Sequence, residues 1–392
     1  MPAPTMVVPS DQPTGQSKKG TSGQTMPMVP FARAAKWHIE QSNVQSNIAL
    51  TAQQQIFNFP LASYGYASAV IITVQATGGT GVAAVAFEDA PWSSLAQVQI
   101  SDVNGVPIYQ LSGYHTYLSS KFGGYRPFAL DGSALASVYQ TVQSSGNFKF
   151  VLPVYFEFGM DGLGCLPNMD ASARYNVQLT VAAAGAASAT GPLYTTLPTA
   201  LPTLTLTVEL LARSQPPAQD MFGNQNSTTP PAVGTIAYWT NQTASGLANG
   251  ANTIQLTRVG NLVRNHIFVW RNANGTRATA ETAGDVPFLF EFDWDVGQRY
   301  VANIASLRAI NGYLVYGFDM PNGVLVLPNT LDPDKLPFSE YGDEWLGTVG
   351  ATKFTLRYTS TAGNGSLSVL TNDIVPASSQ VYQAPALMTY GG

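Results

Sequence analysis

Charge is scarce in this sequence. Asp, Glu, Lys and Arg make up 10% of the 392 residues, against roughly 25% in an average soluble protein. Acids outnumber bases by 23 to 18, for a formal net charge of −5. That balance argues against general nucleic-acid binding, which needs a basic face to neutralise phosphates. There is one cysteine, Cys165, so no intrachain disulfide forms, and zinc sites built from several cysteines are excluded. Three histidines, His38, His115 and His266, lie far apart and show no metal-ligand spacing. No apolar run approaches the ~20 residues that cross a bilayer. The N-terminus has no signal-peptide core, so no export is expected.

What is abundant is apolar and uncharged polar. Apolar residues reach 45%, enough to build a core in each of two domains of about 170 residues. Solubility must rest on Ser, Thr, Asn, Gln and backbone, a surface suited to burial against neighbours. The few charges are unevenly placed. Lys18, Lys19, Arg33 and Lys36 face a single acid, Asp11, in the first 36 residues, and no Lys or Arg follows from Trp37 to Ser120.

Residues 1–30 lack hydrophobic periodicity and read as an extended arm. Over residues 31–49, Trp37, Gln41, Val44 and Ile48 follow helical spacing, with Lys36 and Glu40 as an i,i+4 pair, so a short helix is expected there. From Ile56 onward, alternating and β-branched runs recur between Gly, Pro, Asn and Asp. The expected strands are Ala69–Val74, Val82–Phe87, Val98–Ile100, Phe148–Phe158, Val177–Ala182 and Leu204–Leu211. After a break come Gly234–Trp239, Thr253–Val259, His266–Trp270, Pro287–Trp294, Tyr313–Phe318, Val324–Leu327 and Thr352–Tyr358. This is the pattern of an all-β sandwich or barrel. Helical spacing recurs only in Ser133–Val142 and Arg299–Asn311.

The break is residues 214–234, with Pro216–Pro217 and Pro230–Pro231 among polar residues, and it halves the chain. The order of features repeats across it. Asn104–Gly105 after one strand is echoed by Asn274–Gly275, Pro153 in FVLPV by Pro328 in LVLPN, and Leu179 in VQLTV by Leu356 in FTLRY. Offsets of 170–177 in one order imply two copies of one fold. The expected organisation is an arm over 1–49, a first β unit over 50–214, a linker over 215–233 and a second unit over 234–392.

Several segments carry a family resemblance. They are residues 94–105 (SLAQVQISDVNG), 111–118 (LSGYHTYL), 150–156 (FVLPVYF), 161–167 (DGLGCLP), 175–181 (YNVQLTV) and 261–270 (NLVRNHIFVW). Over about residues 50–390 the chain resembles the double jelly-roll major capsid proteins of tailless, lipid-containing bacteriophages of the tectivirus type. The resemblance implies two tandem eight-stranded jelly rolls with short helices in loops. It also implies a structural protein, not an enzyme, without cofactors. Homotrimers would tile an icosahedral shell around an internal membrane, alongside penton or cement proteins, in virions made in the host cytoplasm. Specific nucleic-acid contacts are not expected. Lys18, Lys19, Arg33, Lys36 and Trp37 would face the membrane.

Candidate chemistry is thin. In FLFEFDWDV, Glu291, Asp293 and Asp295 share one face of a strand and Phe290, Phe292 and Trp294 the other. The plain reading is a wet face opposite a packed one; the sharper one is a cation site or a glycosidase pair. His115, among aromatics and without a nucleophile elbow, reads as packing, and Cys165 as a small buried residue. Asp332, Asp334, Glu340, Asp343 and Glu344 form an acidic loop facing solvent, a neighbour or a cement protein. A two-domain β-sandwich carbohydrate-binding protein or glycan-active enzyme is the alternative. Scattered single tryptophans and few histidines stand against it.

Overall fold

The computed structural model describes residues 28–123, 138–159, 161–184, 193–278, 289–294, 297–316, 319–329, 345–348, 351, 353–360, 363 and 365–375. Apart from short strands of two or three residues, the described residues of the first half supply eight strands: β1 (Trp37–Ala49), β2 (Gln55–Pro60), β3 (Tyr66–Thr77), β4 (Leu95–Ser101), β5 (Pro107–Leu111), β6 (Phe148–Tyr155), β7 (Asn176–Val181) and β8 (Thr203–Arg213). They form two four-stranded sheets, in the orders β1-β8-β3-β6 and β2-β7-β4-β5. The second half repeats this with β9 (Ile236–Ser245), β10 (Gly250–Gln255), β11 (Leu262–Arg271), β12 (Leu289–Trp294), β13 (Gly297–Asn303), β14 (Val324–Pro328), β15 (Phe354–Ser360) and β16 (Ser366–Val375). Its sheets run β9-β16-β11-β14 and β10-β15-β12-β13. Adding eight to each label of the first set gives the second. Two interleaved four-stranded sheets in this order are a jelly roll, so the chain is a double jelly roll.

Alternation explains the strands. Leu204, Leu206, Val208 and Leu210 of β8 point into the first core, with Val70, Ile72 and Val74 of β3 opposite Val154, Leu152 and Phe150 of β6. In the second roll, Phe290 and Phe292 of β12 meet Phe268 of β11 and Phe354 of β15. Strand β11 is buried along nearly its whole length, because helix α2 (Gly113–Phe122) of the first half covers its outer side. Both prolines of the echoed pair sit on sheet-edge strands, Pro153 on β6 and Pro328 on β14. A missing N–H does no harm at a sheet edge.

The structure departs from the expected elements at two places. Residues 31–49 are not one helix. A four-residue helix α1 (Phe31–Ala34) is followed by β1, paired with β8 from Trp37↔Arg213 to Ala49↔Thr203. Register shifts between Gln41 and Asn43 and between Gln45 and Ile48 break the two-residue alternation, so the apolar residues fall at a helix-like spacing. The expected strand at Tyr313–Phe318 is instead helical as far as Tyr316. Helix α3 (Ile304–Ala309), capped by the Asn303 side chain, continues as a π-helix through Ile310–Tyr316. The expected helix at Ser133–Val142 falls mostly outside the described residues; of its remainder, Gln140 bridges to Lys149.

The first of the three echoes joins parts that are not equivalent. Asn104–Gly105 connects β4 to β5, whereas Asn274–Gly275 follows β11, the counterpart of β3. Both are three-residue turns with a glycine bulge: Gly105 N donates to Asp102 O at 3.0 Å and Gly275 N to Asn272 O at 2.9 Å. Only the glycines take positive φ, +81° and +82°. The pairing registers put these turns at opposite ends of the molecule.

Candidate assembly surface

The two rolls stand side by side with their strands running the same way. Strand β5, at the edge of the first roll, meets β9, at the edge of the second, in parallel at Tyr109↔Trp239. This joins two sheets into one. The strands then splay around an open groove of about 590 Å³ that includes Gln97, Gln110, Thr240 and Asn241. Helix α2 fills the seam behind them. Its first turn is capped by Ser112 Oγ, which accepts from His115 N at 3.3 Å. Its last carbonyls are taken by the second roll: Arg264 donates to Gly123 O at 2.7 Å and Asn265 to Phe122 O at 3.4 Å. A cation at a helix C-terminus is favourable. Burial lowers the Arg264 pKa to about 10. Gly123 packs so tightly that a methyl group there would overlap the Trp239 ring.

At the other end of α2 a half-buried ion cluster, centred on the buried Asp89, spans the seam. Asp89, from the first roll, binds Arg271 at 2.6 Å and Arg277 at 3.0 Å, with Glu88 beside them. Both guanidiniums lie over the Tyr114 ring. His115 is buried next to them, and neither ring nitrogen has a hydrogen-bond partner among the described residues. Burial, then the charge of Arg271, lowers its pKa to about 3. It is therefore a neutral packing residue at physiological pH. None of this cluster was singled out from sequence except His115, because its members come from three separate stretches of the chain: the Glu88–Asp89 loop, the start of α2, and the end of β11 with the turn after it.

The end where the chain enters the first roll holds a second buried pair. Arg213, last in β8, grips Glu157 through both nitrogens, Nη2 to Oε1 at 2.5 Å and Nε to Oε2 at 3.3 Å, and Ser68 Oγ also donates to Glu157. Trp37 lies 4.0 Å from the Arg213 guanidinium. The arm's end is fastened nearby: Phe31 is buried edge-on to Tyr66 and packs with Cys165. Burial, then the Glu157 charge, raises the Cys165 thiol far out of the reactive range. Arg33 and Lys36 are exposed, while Lys18 and Lys19 lie outside the described residues.

The acidic strand also has partners. Asp293 is buried, paired with Arg357 and with Lys353 at 3.2 Å, and Glu291 lies 3.7 Å from Arg357. Burial pushes the Asp293 carboxyl up, but hydrogen bonds from Arg357 and Lys353 and their charges outweigh it, leaving the pKa lowered. Asp295, Asp332, Asp334, Glu340, Asp343 and Glu344 lie outside the described residues. Among the described residues, no three acids, histidines or cysteines converge as metal ligands, and none of the groove's aromatics is exposed as a flat platform.

No family model matches the chain, and no curated protein is similar to it in sequence. Solved structures are similar. The major capsid protein of Sulfolobus Turreted Icosahedral Virus superposes with a TM-score of 0.58 at 12% identity, covering 87% of this chain and 97% of that one. The chain has the double jelly-roll fold of viral major capsid proteins. VP54 of PBCV-1 matches with a TM-score of 0.58 at 12% identity, over 87% of this chain and 94% of that one. The major capsid protein of bacteriophage PM2 matches with a TM-score of 0.53 at 11% identity, over 87% and 98%.

Proposed function

We propose that this chain is the major capsid protein of a tailless, membrane-containing virus and that its homotrimer tiles an icosahedral shell. The observation that carries this is the seam. An edge of roll one meets the β9 edge of roll two side by side, a head-to-tail contact. Among the described residues, that leaves the β13 and β14 edges free on one flank and the β1 and β2 edges free on the other. These are the counterparts of the edges already joined, so a second chain repeats the contact. Head-to-tail contacts close into rings when the rotation allows. Three chains make a ring of six similar rolls, and every long edge is covered.

In this reading the units are residues 37–213 and 236–375 with a linker of 214–235, so β1 belongs to the first roll and the arm ends at Lys36. Lys18, Lys19, Arg33 and Lys36 face the internal membrane, each contributing about 1 kcal/mol near an anionic surface. Trp37 serves the fold through Arg213 instead of the headgroups. Outer loops remain for penton or cement proteins. The edge contact is tested with Ile39→Lys and Val44→Lys together on the exposed side of β1. The variant is expected to stay folded by circular dichroism but to lose trimers in native mass spectrometry. A variant that assembles like the parent removes β1 from the contact.

A further inference from the structure

The linker carries a built tip between Gln219 and Gln225. Gln219 and Gln225 form an antiparallel bridge, Asp220 N donates to Asn224 O at 3.0 Å, and Gly223 N donates to Asp220 O at 3.1 Å. The Asp220 carboxylate closes the turn: Oδ1 accepts from Phe222 N and Asn224 N, both at 2.8 Å, and Oδ2 from Asn224 Nδ2 at 2.8 Å. Gly223 supplies the positive φ, +82°. Met221 and Phe222 project from this turn at 90% and 82% exposure. Two large adjacent apolar side chains held this open need a partner.

The tip belongs to the end of the molecule that carries the arm. Val29 N donates to Gln225 O at 2.8 Å, and Ser227 N to Val29 O at 2.9 Å. The registers bring Trp37, Tyr66 and Arg213 of roll one to this end, and the linker leads straight into Ile236, paired with Val375. Val103, Val106 and Met169, on loops of the same end, are exposed as well. The acids among these loops are tied into their own turns. Asp102 Oδ1 accepts from Asn104 N at 2.9 Å and Val106 N at 2.7 Å, and Asp170 Oδ1 from Ser172 N at 2.8 Å. Met28 to Trp37 contains Arg33 and Lys36 and no acid.

We propose that Met221 and Phe222 form an insertion tip that docks this end of the protein on a lipid bilayer. A convex apolar tip beside basic residues suits a fluid apolar phase beneath polar headgroups. The backbone N–H groups of Asp220, Phe222, Gly223 and Asn224 are already satisfied within the turn, which lowers the cost of leaving water. Arg33 and Lys36 stand ready for the headgroups beside it. The inference rests on the membrane-facing reading of the arm, and it adds a second, apolar anchor, as stable attachment requires two signals.

The test is flotation of the full-length protein with vesicles of phosphatidylcholine alone and with added phosphatidylserine, at low and high salt. Met221→Ser with Phe222→Ser is expected to weaken binding to both compositions at least tenfold, including at high salt. Val82→Ser, on the opposite end and 90% exposed, leaves binding unchanged. A polarity-sensitive dye on Phe222→Cys, selective because Cys165 is buried, should shift to the blue on vesicles. If the parent binds and the double variant binds equally, the tip is wrong while the arm reading stands. If the parent binds neither composition, the membrane reading fails with it. Unchanged vesicle binding with defective particle assembly would make the tip a protein contact and overturn the proposal.

Discussion

Replacing Glu157 with Gln removes one charge and almost no volume from the fully buried pair with Arg213. The guanidinium then keeps its burial but loses the carboxylate it grips through two nitrogens. Breaking one side of a buried pair costs about 3–5 kcal/mol, because the remaining charge is uncompensated. With an m-value of about 3 kcal/mol/M in urea, the unfolding midpoint of the first roll should fall by about 1 M or more. Glu157→Leu combined with Arg213→Met removes both charges and should recover most of the loss. Trp37→Ala should cost only about 1 kcal/mol, the worth of a half-exposed cation–π contact. Urea titration followed by circular dichroism measures all three. A Glu157→Gln midpoint within experimental error of the parent would refute the claim that this pair is desolvated.

The remaining predictions concern the seam and the acidic strand. His115 is held neutral with a pKa of about 3, below its unfolded value of about 6.5. The unfolded chain therefore binds the extra proton between those values. Stability should fall as pH drops from 6.5 towards 3, by up to about 1.4 kcal/mol per pH unit. His115→Gln should flatten that slope, and melting curves from pH 7 to 4 should show it; equal slopes would contradict the assignment. Gly123→Ala drives a methyl into Trp239 and should destabilise the protein by about 1–3 kcal/mol, read in the same titration. Neutralising Glu291, Asp293 and Asp295 with Gln and Asn should lower stability through the loss of the Arg357 and Lys353 pairs. It should uncover no lost hydrolysis of glycosides or esters, and added calcium should leave the parent's melting temperature unchanged.

Much of the fold was legible because jelly-roll strands are half-buried and alternate. The β8 run TLTLTVELL shows its faces directly, whereas in the β12 run LFEFDW the expected wet face holds Asp293, which is buried with Arg357 and Lys353. The linker announced itself through its two Pro-Pro pairs. The Pro153/Pro328 and Leu179/Leu356 echoes mark equivalent strands, β6 with β14 and β7 with β15. The Asn-Gly echo misled because the same turn chemistry serves at two unrelated corners. Strand β1 hid behind its bulges. Helix α2 hid because it is buried on every side, so GYHTYLSSKF has no polar face to set a period. Its Thr116 and Ser120 hydroxyls bond back to carbonyls four residues earlier. The seam could not be read at all. Asp89, Arg271 and Arg277, like Glu157 and Arg213, are brought together only by the tertiary fold, and a single charged residue in a loop carries no sign of its partner.

The central claim is that an edge contact already present inside one chain is repeated between chains. Size-exclusion chromatography with light scattering on the purified protein at micromolar concentration tests it most directly. A single species at three times the 41.6 kDa chain mass, unchanged on tenfold dilution, is the expected result. A stable monomer under the same conditions would contradict it.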